Sequence, residues 1–270
     1  MKHTYMFDYD IYWINCSENK VRYDHMRSLL EREFPNNKHH HVEAIMHKPK
    51  YNGITMSHMV AVMKGMTSGK PFLVVEDDIG GNCRSPLTLS NRKRFDTLTN
   101  DLSFFTPPCQ GENNDKEKGE GKGTGDGNQT PDAIYLGLSY WGNMKMGRKK
   151  LLAECMNKDE KVVIINNKVF MKKGARGEDW DDNFFRIRDM YGAHAILYMN
   201  RTYMVETLKV CILAISMNKP HDIYLPKLQK KYLVLGQKHP WFYQLSKIGG
   251  QETGTNVNFS GVRKITSENL

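Results

Sequence analysis

Long apolar runs are missing from this chain of 270 residues, and no stretch approaches the ~18 that a membrane-crossing helix needs. The opening MKHTYMFDYD carries acids where a signal peptide needs its apolar core, so no secretion signal is read and a cytoplasmic protein is expected. Cysteine is scarce. The five, Cys16, Cys83, Cys109, Cys155 and Cys211, are odd in number and lack CxxC spacing, which argues against a disulfide framework or a cysteine zinc site. No Gly-rich phosphate loop follows the first strand, and no internal repeat is visible. What is present is ordinary for a globular chain, with 39% hydrophobic and 26% charged residues. Acids are the minority charge. The net +9 favours anionic partners such as nucleotides, nucleic acid or acidic glycans without choosing among them, and a solvated basic surface fits it equally.

The apolar pattern alternates between strand and helix types. DIYWIN (10–15) is β-branched and aromatic, and SENKVRYDHMRSLLEREF reads as a helix capped by Ser17, with Val21, Met26, Leu29, Leu30 and Phe34 on one stripe. HVEAIM (41–46) is a second strand. ITMSHMVAVMKGMTSG is a second helix, with Ile54, His58, Val62 and Met66 at i, i+4 spacing and Gly69 as its stop. PFLVVEDD closes a βαβαβ unit, which calls for an α/β fold with a Rossmann-like N-terminal half, a mostly parallel central sheet and helices on both faces. A helix over 90–105 follows, then a Gly- and Pro-rich insertion with little to bury over 107–131. DAIYLGLSYWG resumes the sheet, KVVIINNKVFMK gives one or two further strands, and AHAILYMN is a strand. NRTYMVETLKVCILAISMN forms an amphipathic helix capped near Asn200, and HDIYLPKLQKKYLVLG a short helix and a strand. A polar, loosely ordered tail covers 248–270. One domain spanning 1–270 is expected.

The chemistry concentrates in PFLVVEDDIGG (71–81). An apolar strand here delivers three carboxylates, Glu76, Asp77 and Asp78, to its own end, where like charges repel unless something offsets them. Open α/β sheets bind ligands at the carboxyl ends of their strands. Alternation sends Glu76 and Asp78 to one side and Asp77 to the other. Two converging carboxylates suit a hard divalent cation, Mg2+ or Mn2+, which in turn binds a diphosphate. Gly80 and Gly81 allow a tight turn beside such a ligand. The alternative is that the acids cap a following helix or pair with Arg84 and other bases.

Several segments in order resemble glycosyltransferase family 25, the lipooligosaccharide and collagen galactosyltransferase-like proteins of the GT-A fold. They are IYWINCSENKVRYDHM, GITMSHMVAV, FLVVEDDI, DAIYLGLSYWG, YGAHAILYMNRTYMVETL, and PHDIYL followed by YLVLGQKHPWFYQ. Cys16 stands where the family has Leu, and the first Arg of its paired arginines is missing. The resemblance implies transfer of a hexose, galactose or glucose, from a UDP-sugar to a hydroxyl of a glycan or protein acceptor, with inversion and with Mn2+ or Mg2+. It implies metal ligation by Asp78 and Glu76, with Asp77 a weaker ligand candidate, and by His239 in GQKHPWFYQ. Donor contacts fall on Asn15, Arg22, Ser57, His58, Glu76 and Asp77. Read without the family, Asn15 is a turn residue, Arg22 a solvated helix face and His58 a core histidine. The general base an inverting transferase needs is Asp222, or an acid of GEDWDD such as Asp179, with Trp180 available to stack on a sugar; Asp222 also fits a helix N-cap. Two other classes compete: a nucleotidyltransferase on a related sheet, and a non-catalytic binder of polyanions or glycans. Nucleic acid is the weaker partner candidate.

Overall fold

A computed structural model describes residues 9–81, 130–137, 162–165, 168–171, 177–180, 184–188, 190–237 and 241–245. The chain opens with β1 (Asp10–Asn15), α1 (Lys20–Glu33), β2 (His39–Glu43), α2 (Lys50–Met66) and β3 (Phe72–Glu76). The strands of this βαβαβ unit are all parallel, β1 lying between β2 and β3. β4 (Ile79–Gly81), β5 (Ala133–Tyr135), β6 (Val162–Ile165), β7 (Lys168–Met171), β8 (Gly177–Asp179), β9 (Phe184–Ile187) and β10 (Ala195–Tyr198) follow. α3 (Arg201–Ser216), a 3-10 turn (His221–Ile223), α4 (Leu225–Lys231), β11 (Val234–Gln237) and β12 (Phe242–Gln244) complete the described chain.

The fold is α/β with one main sheet of eight strands, ordered β2-β1-β3-β10-β5-β11-β9-β8. It is mixed. β1 pairs in parallel with β2 and β3, and β5 with β11, whereas β10 is antiparallel to both its neighbours and β9 to both of its own. Six strands therefore share one direction, with β9 and β10 reversed. Two small sheets, β4/β12 and β6/β7, stand apart.

Alternation along the strands sorts two cores. Ile11, Trp13, Leu73 and Val75 face Met26, Leu29 and Leu30 of α1. Tyr12, Phe72 and Val74 face Ala61 and Val62 of α2 and Tyr203 and Met204 of α3. Helices cover both faces, which is why Phe72 to Val75 are all buried and the strand reads as an unbroken apolar run.

Local chemistry moves some boundaries. Asn19, not Ser17, caps α1, its Oδ1 accepting from the Arg22 amide at 3.3 Å. The Asn19 amide donates to the Cys16 carbonyl, a turn that carries the chain past Ser17 before the helix starts, and the Ser17 amide donates to Glu43 instead. Val21 consequently falls off the apolar stripe and is 67% exposed. β2 covers 39–43 rather than 41–46, and α2 starts at Lys50, four residues before Ile54. Gly69 takes a φ of +67° just beyond the end of α2. Gly80 and Gly81 are not a turn; they belong to β4.

Asn200 does cap α3, accepting from the Thr202 amide at 2.7 Å and from the Tyr203 amide at 3.3 Å. Asn200→Ala is expected to lower stability by about 1 kcal/mol in urea denaturation; an unchanged midpoint would remove the cap from the account. The helix expected over 90–105 lies outside the described residues. So do nearly all of the insertion at 107–131 and the tail at 248–270.

Candidate functional site at the carboxyl edge of the sheet

The three acids part company where β3 ends. Asp77 lies in the turn after the strand and faces α1, where its Oδ1 is 2.6 Å from Nη1 of Arg22. Its Oδ2 accepts from Nδ2 of Asn15, the last residue of β1, at 2.7 Å. Arg22 and Asp77 are only 17% and 14% exposed, so Arg22 is neither a solvated face nor a loose surface partner. The cap at Asn19 sets the first turn of α1 and hence the direction from which Arg22 arrives. Asn15 is buried, and its Oδ1 has no hydrogen-bond partner. Trp13, Tyr23 and His41 form an aromatic group beside this triad, with ring centroids 4.5 to 5.4 Å apart.

Glu76 faces the other way, towards α2. Its Oε1 is 2.9 Å from Nε2 of His58. The seat of α2 makes this contact possible. Gly53 packs so closely on the Ile45 carbonyl that a Cβ there would collide with backbone. Ser57 donates to the Gly53 carbonyl at 2.7 Å and accepts from the Ile45 amide at 2.8 Å. Both bonds of the Ser57 hydroxyl are thus spent on fixing the β2–α2 loop, one helical position before His58. Ser57 acts here as a strut.

His221 and Asp222, on the 3-10 turn, close the same side. The His221 ring lies 4.6 Å from that of His58. The Asp222 carboxylate accepts from the backbone amides of Ile223 and Gly192, while its Oδ1 is buried without a partner. Gly192 reaches this position with a φ of +100°, a conformation side-chain-bearing residues rarely take. Asp222 is not an N-cap: α4 begins after Tyr224 with no side-chain cap.

Burial dominates the electrostatics. It pushes Glu76 up to about 7, with Asp77 adding repulsion and Arg22 and Lys50 opposing it. Burial likewise raises Asp222 to about 6, helped by the charge of Glu76. It lowers His58 to about 4, and burial plus the neighbouring His58 lower His194 to about 4. Protons are thereby displaced from imidazoles towards carboxyls, as expected where charge is poorly solvated.

Asp78 sits at the tip of the turn, buried. Its carbonyl accepts from the Leu245 amide at 2.6 Å, and the β4 that follows pairs with β12. Nε2 of His25, on α1, donates to the Ile79 carbonyl at 2.6 Å and holds the turn from the opposite side.

A hard divalent cation fits the donor chemistry in part. Glu76 and Asp78 offer oxygens, and the raised Glu76 marks a place where negative charge is undercompensated. Among the described residues no three His, Cys, Asp or Glu side chains are grouped as a metal cage. Mg2+-type sites commonly use one or two carboxylates and complete their shell with phosphate and water. His239 lies outside the described residues, as do Asp181, Asp182 and Arg84. Asp179 ends β8, its backbone opposite Phe185. Trp180 packs partly buried against the α1-side core, its amide donating to the Phe184 carbonyl at 3.1 Å.

Three residues at this edge were not singled out from the sequence. His221 adjoins Asp222, and His194 immediately precedes β10, its carbonyl accepting from the Glu76 amide at 3.0 Å. Gln237 ends β11 fully buried with neither side-chain polar atom hydrogen-bonded. The available signal was positional, because Gln237 ends its apolar run as Asn15 and Glu76 end theirs. No protein-family model and no curated protein matches the chain.

Proposed function

We propose that the chain is a glycosyltransferase of the GT-A type that moves a hexose from a UDP-sugar to a hydroxyl of a glycan or protein acceptor with inversion, in the presence of Mn2+ or Mg2+. One observation carries this reading. The acidic end of β3 divides its carboxylates between an arginine-holding face, with Arg22 and Asn15 on Asp77, and a proton-holding face, with Glu76 beside His58 and Asp222. Both faces meet at the carboxyl edge of an α/β sheet, where such sheets take ligands. The ordered family-25-like segments and the +9 charge support it.

A cation held by Asp78 and Glu76 would supply positive charge to the departing diphosphate. Arg22, fixed by Asp77, brings a second positive group to the same end of the sheet. Asn15 Oδ1 adds a buried acceptor without a hydrogen-bond partner at the same end of the sheet. Asp222, raised to about 6, has the proton affinity a general base needs near neutrality, and would take the proton of the acceptor hydroxyl.

The test is a thermal-shift titration. UDP with Mn2+ is expected to raise the melting temperature, by a stabilisation of about 2.7 kcal/mol at 100 times the Kd, and Asp78→Ala to abolish the shift. Labelled UDP-sugar should then give a glycosylated product. No shift with uridine, guanosine or cytidine nucleotides would overturn the reading, and salt-sensitive polyanion binding indifferent to Mn2+ would favour the non-catalytic class.

A further inference from the structure

We infer that His58 is a positioning residue: through an Nε2–H donor it anchors Oε1 of Glu76 and so leaves Oε2 as the oxygen presented at the carboxyl edge. The inference rests on the functional reading above for what Oε2 meets, but its geometry stands on the hydrogen-bond chemistry of α2 and the 3-10 turn.

Thr55 fixes the starting point. Its hydroxyl has one proton, which it donates to the Tyr51 carbonyl at 2.8 Å. The same oxygen lies 3.3 Å from Nδ1 of His221 and can only accept there. Nδ1 of His221 therefore carries a hydrogen, and its deeply buried ring backs that of His58 at 4.6 Å. A charged His58 ring would carry Nε2–H in any case, and a neutral one has a single proton to place. On Nδ1 that proton would be a buried donor facing no acceptor, because Nδ1 has no partner. On Nε2 it points at Glu76 Oε1, 2.9 Å away. The second arrangement satisfies the donor and leaves only a lone pair buried, the lesser penalty.

The ring has little freedom to do otherwise. His58 is 3% exposed. Gly53 and Ser57 lock the helical turn before it onto the Ile45 backbone. Glu76, 24% exposed at its side chain, has His58 as its side-chain partner. A carboxylate tethered by one oxygen has a defined orientation for the other, as groups behind metal and phosphate ligands commonly provide. The titratable neighbours facing this pair are Asp77, Arg22 and Lys50 on the Glu76 side, and His194, His221 and Asp222 across it.

Two measurements on the full chain test the inference. The first is long-range 1H–15N NMR of 15N-histidine-labelled protein at neutral pH, with the His58 signal identified by its loss in His58→Gln. A proton on Nε2 is expected; an Nδ1–H tautomer with a bare Nε2 would overturn it. The second compares UDP and Mn2+ binding across variants. His58→Phe is expected to weaken binding roughly 10–100-fold, and His58→Gln, whose amide nitrogen reaches where Nε2 stood, to restore most of it. Wild-type affinity in His58→Phe, or equal loss in both variants, would overturn the positioning role. The tautomer measurement reads the wild-type chain and needs only His58→Gln for its assignment, so it decides even if His58→Phe does not fold. Failure of the wild-type chain to bind any nucleotide would instead sink the functional reading and leave the tautomer result intact.

Discussion

Glu76→Gln is expected to make the protein more stable above neutral pH while abolishing its response to UDP and Mn2+. In the folded state burial and Asp77 hold the Glu76 carboxyl up at about 7, against 4.5 for an exposed one. Below the lower value both folded and unfolded chains carry the proton, and ionisation costs nothing. As pH rises between the two values the unfolded chain releases its proton and the folded chain keeps it, so stability falls, and the full cost is present above about 7. Its upper bound is on the order of 3 kcal/mol, reduced by the partial exposure of the side chain. The glutamine variant bears no such cost and can still accept from His58 Nε2–H. The measurement is the difference in unfolding free energy between variant and wild type from about pH 4 to pH 8. It should be near zero at the acid end and grow in favour of the variant through neutrality. A difference flat across that range would show that Glu76 is not held protonated by the fold. Gain of stability with loss of binding is the usual signature of a strained site.

The second large effect is the loss of Asp77. Asp77→Ala removes the 2.6 Å partner of Arg22 and the acceptor for Asn15 together, on a face where both charged groups are mostly buried. Breaking a buried pair by deleting one member typically costs 3–5 kcal/mol; with some solvent access here, about 3 kcal/mol is expected. The double variant with Arg22→Ala should lose less than the sum of the two single losses, because it leaves no unpaired charge behind. Additive losses in chemical denaturation would mean that the pair is not coupled. An acidic triplet usually contributes through its net charge, whereas these two predictions assign opposite signs of stability to adjacent carboxylates.

That divergence was only half legible in the sequence. Period-two alternation in FLVVE separates Glu76 from Asp77 correctly, because alternation is a local property of an extended backbone. Counting carries no authority beyond Glu76, where β3 gives way to a turn, so it does not by itself assign Asp78 a side. β1 was readable to the residue from its apolar content, and α3 to within two residues from its amphipathic pattern and an asparagine cap. The start of α1 was not, because Ser17 and Asn19 are both competent caps and only the Cys16 turn and the distant Glu43 decide between them. The strand reversals at β9 and β10 leave no mark on composition. The partners of the site are the least visible of all: Asp77 meets Arg22 55 positions away, and Thr55 meets His221 166 away. His58, which reads as a core residue on α2, meets the His221 ring only when the two segments are folded against each other.

The β4–β12 ribbon sets an order of events. The βαβαβ unit and the turn that follows it contain the whole Arg22–Asp77–Asn15 triad, which is complete once residues 10–77 have been made. The turn bearing Asp78 is fastened by Phe242–Gln244 and by the Leu245 amide, which leave the ribosome some 165 residues later, on the order of ten seconds or more at ordinary translation rates. A product cut short after β11 would keep the triad and the helices yet lack the clasp on the acidic turn. On the proposed function, competence waits for β12, and a chain folded only as far as β11 is expected to be silent.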